Sequence, residues 1–437
     1  MRILFLLPFL AIVPQDPPKP PEKLVAAFYA AKWDAEKGEG MSREGGGDGL
    51  QDHPESFKEF SYREISYHLK HLEAMVDAGI DVALCEFISH PAAVDGLVLA
   101  LQSAAKNKKR IPKVAPVADD VSTALAFIGR VPPAFQASVN NRPLVWLPYA
   151  RGAAPETLQS MRMIAPMFVV GDPAWKPDLA AVAGGALDGP RDYPAVTIGP
   201  GFKDGGSRVR SRDGQAWYER SWYAAMRIKP RIIAIESWNR YDEGSTICPT
   251  REHGRSLISK TKRYAEQFKK GEEIARPKGK YSDGIGVSYH LKFDPPNEGL
   301  RPVDTAVTPC EVVTVAGQKL LMAKEVTGKE GRVLAFSIDD SYAYYERREY
   351  EVQLQVMDRG KGEIVIEYDA AAPAKGETDR TRRLAEPWHY ADTGDWAAAT
   401  FKLPEASFCN RQEGGSDFRI VTKNAGLTVR WVQVRAK

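Results

Sequence analysis

Residues 236–243 read Glu-Ser-Trp-Asn-Arg-Tyr-Asp-Glu and place three carboxylates, an amide, a guanidinium and two aromatic rings within eight positions. A pair of carboxyl groups can cleave a glycosidic bond, one giving a proton to the leaving oxygen and the other acting as nucleophile or as base for water. Aromatic rings suit such a cleft because sugar rings present apolar C–H faces. Elsewhere single carboxylates stand where apolar runs end: Glu86, Asp119, Asp120 and Asp172, accompanied by Tyr29, Trp33, Tyr149 and Trp175. We expect Glu236, Glu86 and Asp172 as catalytic carboxylates, and Trp238, Asn239, Glu243, Asp120, Tyr149, Trp175, Trp33 and Tyr29 as substrate contacts. The same acids could instead hold a cation, but no tight Asp-x-Asp spacing supports that. No CxxC or His-rich spacing suggests zinc, and His68 and His71 lack a third ligand, so they read as packing or surface residues. No metal and no cofactor is expected.

Arg240 bears on which carboxyl could be the acid. A guanidinium within about 4–6 Å lowers a carboxyl pKa by roughly 1–3 units, which suits a nucleophile and disables a proton donor. The donor is therefore expected across the mouth, at Glu86 or Asp172, rather than at Glu243. If Arg240 points outward instead, it makes only a surface ion pair.

Such residues need a scaffold that gathers strand ends. The run 232–235 (IIAI) is a strand apolar on both faces. Upstream, apolar runs alternate with helical periodicity: 24–30, 80–87, 113–117, 143–149, 167–170, a weak run at 181–187, 195–198 and 232–235. Helices are expected between them. One opens on the capping box Ser61-x-x-Glu64 and ends before Gly79, and others cover 96–109, 214–228 and 254–270. Eight strands alternating with helices over about 250 residues is the arithmetic of a (β/α)8 TIM barrel, whose active sites sit at the C-terminal strand ends. An open doubly wound sheet is the alternative, but no Gly-rich phosphate fingerprint follows an early strand.

Beyond the charged, aperiodic stretch 269–283 the pattern changes to period two, as in 350–356 (YEVQLQV), 363–368 (EIVIEY) and 427–434 (LTVRWVQV). Short alternating strands predict an antiparallel, jelly-roll-like β-sandwich, either a carbohydrate-binding module or a structural brace. The expected organisation is an export signal at 1–13, a Pro-rich tether at 14–23, the barrel at 24–272 and the sandwich at 285–437. The eleven-residue run 3–13 (ILFLLPFLAIV) fits a signal h-region and falls short of the about 20 residues a membrane span needs.

With 437 residues, 60 Lys plus Arg against 57 Asp plus Glu, and a net charge of +3, the chain carries no charge excess that would draw it to nucleic acid. Four cysteines make no disulfide scaffold, although Cys310 and Cys409 could pair in an exported protein. No transmembrane helix is expected in the mature chain; the export signal points to a periplasmic or extracellular protein, and the carboxylates and rings to a glycan partner.

The segment 236–247 with Thr250, Arg251 and Glu252 resembles a signature, (E/T)-S/T-W/F-N-E-x-H-E-G-T-x-I, of glycoside hydrolase family 99, the endo-α-mannosidase class. It is more similar to bacterial glycoside-hydrolase-like relatives with Glu before Ser/Thr-Trp-Asn. Other matching pieces are Ala78-Gly79-Ile80-Asp81, residues 169–172, and Pro200-Gly201-Phe202 with Asp204 and Arg208. Thr393-Gly394-Asp395-Trp396 and residues 415–420 resemble those relatives' terminal sandwich. The chain departs from the signature at Arg240, where an acid is usual, and at Asp242 in place of His. The His-Ile-Glu-Pro-Tyr type segment that carries the catalytic pair in true endo-α-mannosidases has no counterpart. The resemblance implies a carbohydrate-active barrel with Trp238, Asn239 and Glu243 lining its site. It also allows a glycan-binding barrel that has lost the catalytic pair.

Overall fold

The computed structural model describes residues 23–42, 47–88, 90–149, 155–203, 209–292, 296–326, 331–372 and 379–437. The expected signal segment, nearly all of the Pro-rich tether, Asp204 and Arg208 lie outside them.

The strand Ile232–Ile235 is buried along its whole length. It pairs in parallel with Leu24–Tyr29 on one side, Ala234 opposite Ala26, and with Ala195–Ile198 on the other. Leu24–Tyr29 in turn pairs with Val82–Cys85, and that strand with Lys113–Pro116. A parallel bridge between Val117 and Trp146, with a 3.0 Å bond from Ala118 N to Trp146 O, leads to Arg142–Leu147. Phe168–Gly171 and Leu179–Ala180 follow. These are eight parallel strands in chain order, a TIM barrel.

Strand alternation decides what fills it. Ala26, Phe28, Val82, Leu84, Ala115, Leu144, Trp146, Val170 and Ala234 form the interior cluster, with Phe28 and Trp146 edge to face at 5.6 Å. Val25, Ala27, Tyr29, Ala83 and Cys85 point the other way and pack with residues of the surrounding helices.

Three expectations are corrected. The sixth strand is the two-residue piece Leu179–Ala180, while Gly185–Asp188, overlapping the expected run 181–187, is a helical turn. A Cβ on Gly185 would lie 2.1 Å from the Thr197 carbonyl, so only glycine lets this turn lie against the seventh strand. The first helix, Ile65–Asp77, starts only after Glu64 and has no side-chain cap, and Ser61, upstream of it, donates its hydroxyl to Asp34 at 2.9 Å. The second helix, Pro91–Lys106, starts and stops earlier than expected, with Pro at its first turn.

The C-terminal part is a two-sheet antiparallel sandwich. In one sheet Thr428–Ala436 lies beside Val287–His290 and Arg348–Met357, which pairs onward with Trp396–Ala406. In the other, the order is Leu300–Val303, Arg332–Ile338, Phe418–Ala425, Gly360–Tyr368. Val352, Leu354, Phe401, Leu403 and Val432 face Phe336, Ile338, Ile364, Ile366 and Ile420 in one core, the period-two pattern of the sequence made solid.

The stretch after the last barrel helix is pinned. Arg276 donates to the Tyr342 carbonyl at 2.7 Å and pairs with Glu346 at 3.2 Å. Tyr344 of the sandwich packs against Trp217 of the barrel at 6.2 Å, and Arg380 pairs with Asp192 at 2.8 Å. All four cysteines are free thiols, so Cys310 and Cys409 are not bridged. Among the described residues no helix is long and apolar enough to cross a membrane, and no group of three or more His, Cys, Asp or Glu could hold a metal ion.

Candidate active site

At the C-terminal ends of the strands lies a cleft of about 530 Å³, lined among others by Phe28, Glu86, Asp119, Tyr149, Glu236 and Arg240. Parity explains the membership. Phe28 and Ala234 point into the barrel, so Glu236, two residues beyond Ala234, does so too. Glu86 follows Leu84 in the same way.

Glu236 is 5% exposed. The helical turn that replaces the expected sixth strand supplies its partners: Gly184 N donates to both carboxylate oxygens at 3.0 Å, and Ala186 N approaches at 3.4 Å. Burial is the largest influence and pushes its pKa up, against the Arg240 charge and the backbone donors, while Glu86 adds to the rise.

Arg240 faces the cleft, not the surface. Its Nε donates to Glu86 at 2.9 Å and its Nη2 to the other oxygen of the same carboxylate, a two-pronged grip. Nη1 reaches Glu243 at 3.1 Å, and the guanidinium lies 5.5 Å from the centre of the Phe28 ring. Burial raises the Glu243 pKa, opposed by Arg240. The guanidinium expected to stand apart from Glu86 grips it directly. Glu236, lacking a direct bond to Arg240, is the carboxyl on which a proton is favoured.

Asp120 and Tyr149 also line the cleft. Asp120 is the N-cap of the helix Val121–Arg130, accepting from Thr123 N at 2.8 Å, and bonds from Ser122 and Thr123 hold its carboxyl low. Tyr149 is 46% exposed at the cleft wall.

The other expected residues are placed elsewhere. Asp172 accepts from Ala174 N at 2.8 Å, capping the turn Pro173–Trp175, and does not line the cleft. Trp175 is buried beneath it and donates to the Tyr149 carbonyl at 2.9 Å, positioning Tyr149 rather than touching the opening. Tyr29 points outward by parity and bonds His68 Nδ1 at 2.9 Å. Trp33 has no exposed surface and stands edge-on to Tyr241 at 5.1 Å. Trp238, likewise fully buried, donates to His71 Nδ1 at 3.0 Å. A ring with no exposed face gives a sugar nothing to stack on, so the platform expected at Trp238 is a core residue. Asn239 bonds both the N–H and the carbonyl of Ala30, at 2.9 and 2.8 Å, and so ties its loop to the first strand.

Sequence reading missed Phe28, the Gly184 and Ala186 amides, and a clamp on the loop after Glu243. There Arg212 pairs with buried Asp52 at 2.6 Å and donates to the Gly244 and Thr246 carbonyls at 2.8 and 3.0 Å. The alternation that buries Tyr29 pointed to Phe28. No sequence signal marked the other two.

No family model matches the chain, and no curated protein does. Solved structures do. The GH99 endo-alpha-mannosidase from Bacteroides thetaiotaomicron matches with TM-score 0.47 at 13% identity, over 57% of this chain and 98% of that one. A glycoside hydrolase-like protein matches with TM-score 0.40 at 12% identity, over 61% and 98%. The C-terminal CBM6 of a marine laminarinase from Zobellia galactanivorans matches with TM-score 0.21 at 11% identity, over 34% and 98%. At these identities the likeness is one of fold.

Proposed function

We propose that the protein is an exported carbohydrate-active enzyme, a glycoside hydrolase that cleaves a poly- or oligosaccharide in the barrel cleft. The observation that carries the reading is the pairing of unlike carboxyls. Glu236 is buried where the proton is favoured, and Glu86, on the opposite side of the first strand, is gripped by a guanidinium. A buried carboxyl facing one held by a guanidinium is an arrangement that acid-assisted glycoside cleavage can use. In this reading Glu236 protonates the leaving oxygen and Glu86 acts as nucleophile or base. Tyr149 supplies an apolar face for a sugar ring. The apolar run 3–13 supports export.

A second reading, a barrel that binds glycan without cleaving it, is favoured by one feature: Arg240 engages both Glu86 and Glu243, two of the cleft's acids. Incubation with a panel of polysaccharides and aryl-glycosides separates the two. On the hydrolase reading Glu236→Gln lowers cleavage by about 10²–10⁴-fold, and wild-type activity falls on the alkaline side as Glu236 loses its proton. Cleavage that survives Glu236→Gln removes that residue from the mechanism. Retention of a glycan with no cleavage by the wild type establishes the binding reading.

A further inference from the structure

The near-even charge of the whole chain hides a local excess at the base of the barrel, the end opposite the cleft. A depression of about 480 Å³ there is lined by Lys23, Arg110, Lys113 and Lys269, with Asp81 the single acid among its described residues. Lys23 and Asp81 stand just before the first and second strands and Lys113 opens the third, so all three sit at N-terminal strand ends. We propose that this base is a docking face for an anionic lipid surface, which holds the protein on a membrane with its cleft turned away.

The charges are not cancelled from within. Asp81 is already engaged: one carboxylate oxygen accepts from Val25 N at 2.9 Å and the other from Lys269 at 2.6 Å. Lys23 donates to the Phe268 carbonyl at 3.0 Å and Lys113 to the Ala134 carbonyl at 2.6 Å, which fixes both ammonium groups without neutralising them. Each keeps further N–H donors for an incoming oxygen. Arg110 is exposed beside them, and Lys106 and Lys108, exposed as well, come just before it in the chain. Phosphate oxygens of lipid headgroups are the complement of such a group, and each basic side chain near an anionic leaflet adds to the attraction.

What favours lipid over an acidic polymer is the chain that joins here. Residues 1–22 lead into the first strand through Lys23, and they carry the apolar run 3–13. The residues 14–22 reach at most about 30 Å, so that run is never far from the base. It is too short to span a bilayer. One apolar anchor that does not span holds a membrane reversibly, and a polybasic patch as second signal makes the hold stable. The base supplies that second signal at the point where the first is attached, so a retained run serves both export and attachment. The mouth of the barrel, at the other end of the strands, is left facing solution.

The test is co-sedimentation of the full chain with vesicles of phosphatidylcholine alone, or of phosphatidylcholine and phosphatidylglycerol in equal parts. The wild type should bind the anionic vesicles at least about tenfold more tightly than the neutral ones and lose that preference in high salt, which screens exposed charges. Arg110→Gln combined with Lys113→Gln should weaken anionic binding about 30-fold, roughly fivefold for each charge, and leave binding to neutral vesicles unchanged. Arg110→Glu, at an exposed side chain, should weaken it in the same direction and serves if the double variant fails to fold. A wild type with no preference for anionic vesicles, or anionic binding that the folded variants keep in full, overturns the docking face. Retention by polygalacturonate with no binding to either vesicle overturns the assignment to lipid.

Discussion

Replacing Arg240 with Met removes one guanidinium from among three acids and leaves a side chain of similar reach. Glu86 and Glu243 keep only 20% and 25% of their side chains in solvent. Stranding a fully buried partner costs about 3–5 kcal/mol. With a fifth to a quarter of each side chain solvated, we expect about 2–3 kcal/mol at pH 7.5. For a unit of the barrel's size that lowers Tm by about 4–12 °C. The loss must also depend on pH. Arg240 opposes the upward push of burial on both Glu236 and Glu243, so without it their folded-state proton affinities rise further. A carboxyl whose folded pKa lies above its unfolded value of about 4.3 costs stability that appears as pH climbs past that value and is complete above the folded one. Scanning calorimetry at pH 4 and pH 7.5 should therefore show a small deficit at the lower pH and the full one at the higher. Equal deficits at both, or less than about 2 °C at pH 7.5, would refute the assignment of Arg240 as the counter-charge of the cleft.

Trp238→Phe forfeits the bond to His71 and should cost about 1 kcal/mol with glycan retention unaltered; weakened retention would mean the ring reaches the cleft after all. His71 is pushed down to about 3 by burial, so below about pH 6.5 the unfolded chain takes a proton the native state refuses. Stability should fall as pH drops from there toward 3, and His71→Gln should flatten that slope in denaturant midpoints measured at pH 7 and 5. Burial opposes the charge on Asp52, but His253, Arg212 and Thr246 outweigh it and hold its pKa low. Its contribution is present above the unfolded value near 3.9 and lost as pH falls through the folded one. Asp52→Asn should thus lose about 3 kcal/mol at pH 7 and clearly less at pH 3, which thermal melts at the two pH values would show. Glu236→Gln keeps an oxygen for Gly184 and loses a buried charge, so its melting temperature at pH 8 should equal or exceed the wild type's; a large drop would mean that the charged form is the one the fold requires.

Much of the barrel was legible because each strand is a short β-branched or alanine-rich run closed by a polar residue. The sixth strand was not: Leu179–Ala180 is too short to show a period, and the Ala-Gly sequence after it has little β preference to contradict a strand. The sandwich was readable from period two alone. The site was half legible. Carboxylates at strand ends announced Glu86 and Glu236, but the rings beside them misled, since composition does not tell an aromatic lining a cleft from one filling the core. Trp33, Trp175 and Trp238 fill the core, Tyr29 points outward by one residue of register, and Phe28 holds the place sought for a ring. Backbone donors such as Gly184 N leave no mark in a sequence, because any residue but proline carries one.

Tyr344 and the Arg380–Asp192 pair fasten the sandwich to the barrel at two separate points, and Arg276 pins the stretch between the two halves to the sandwich. A module on a loose leash raises the local concentration of what it catches and must then search for the partner site. Here the orientational freedom of the second half is given up once, during folding, and not at every encounter. On the proposed carbohydrate reading such an assembly would act as a caliper. A polymer touching both halves would be held at one spacing and in one direction, so the gap between them, rather than the chemistry of either, would decide where along the polymer the cleft falls.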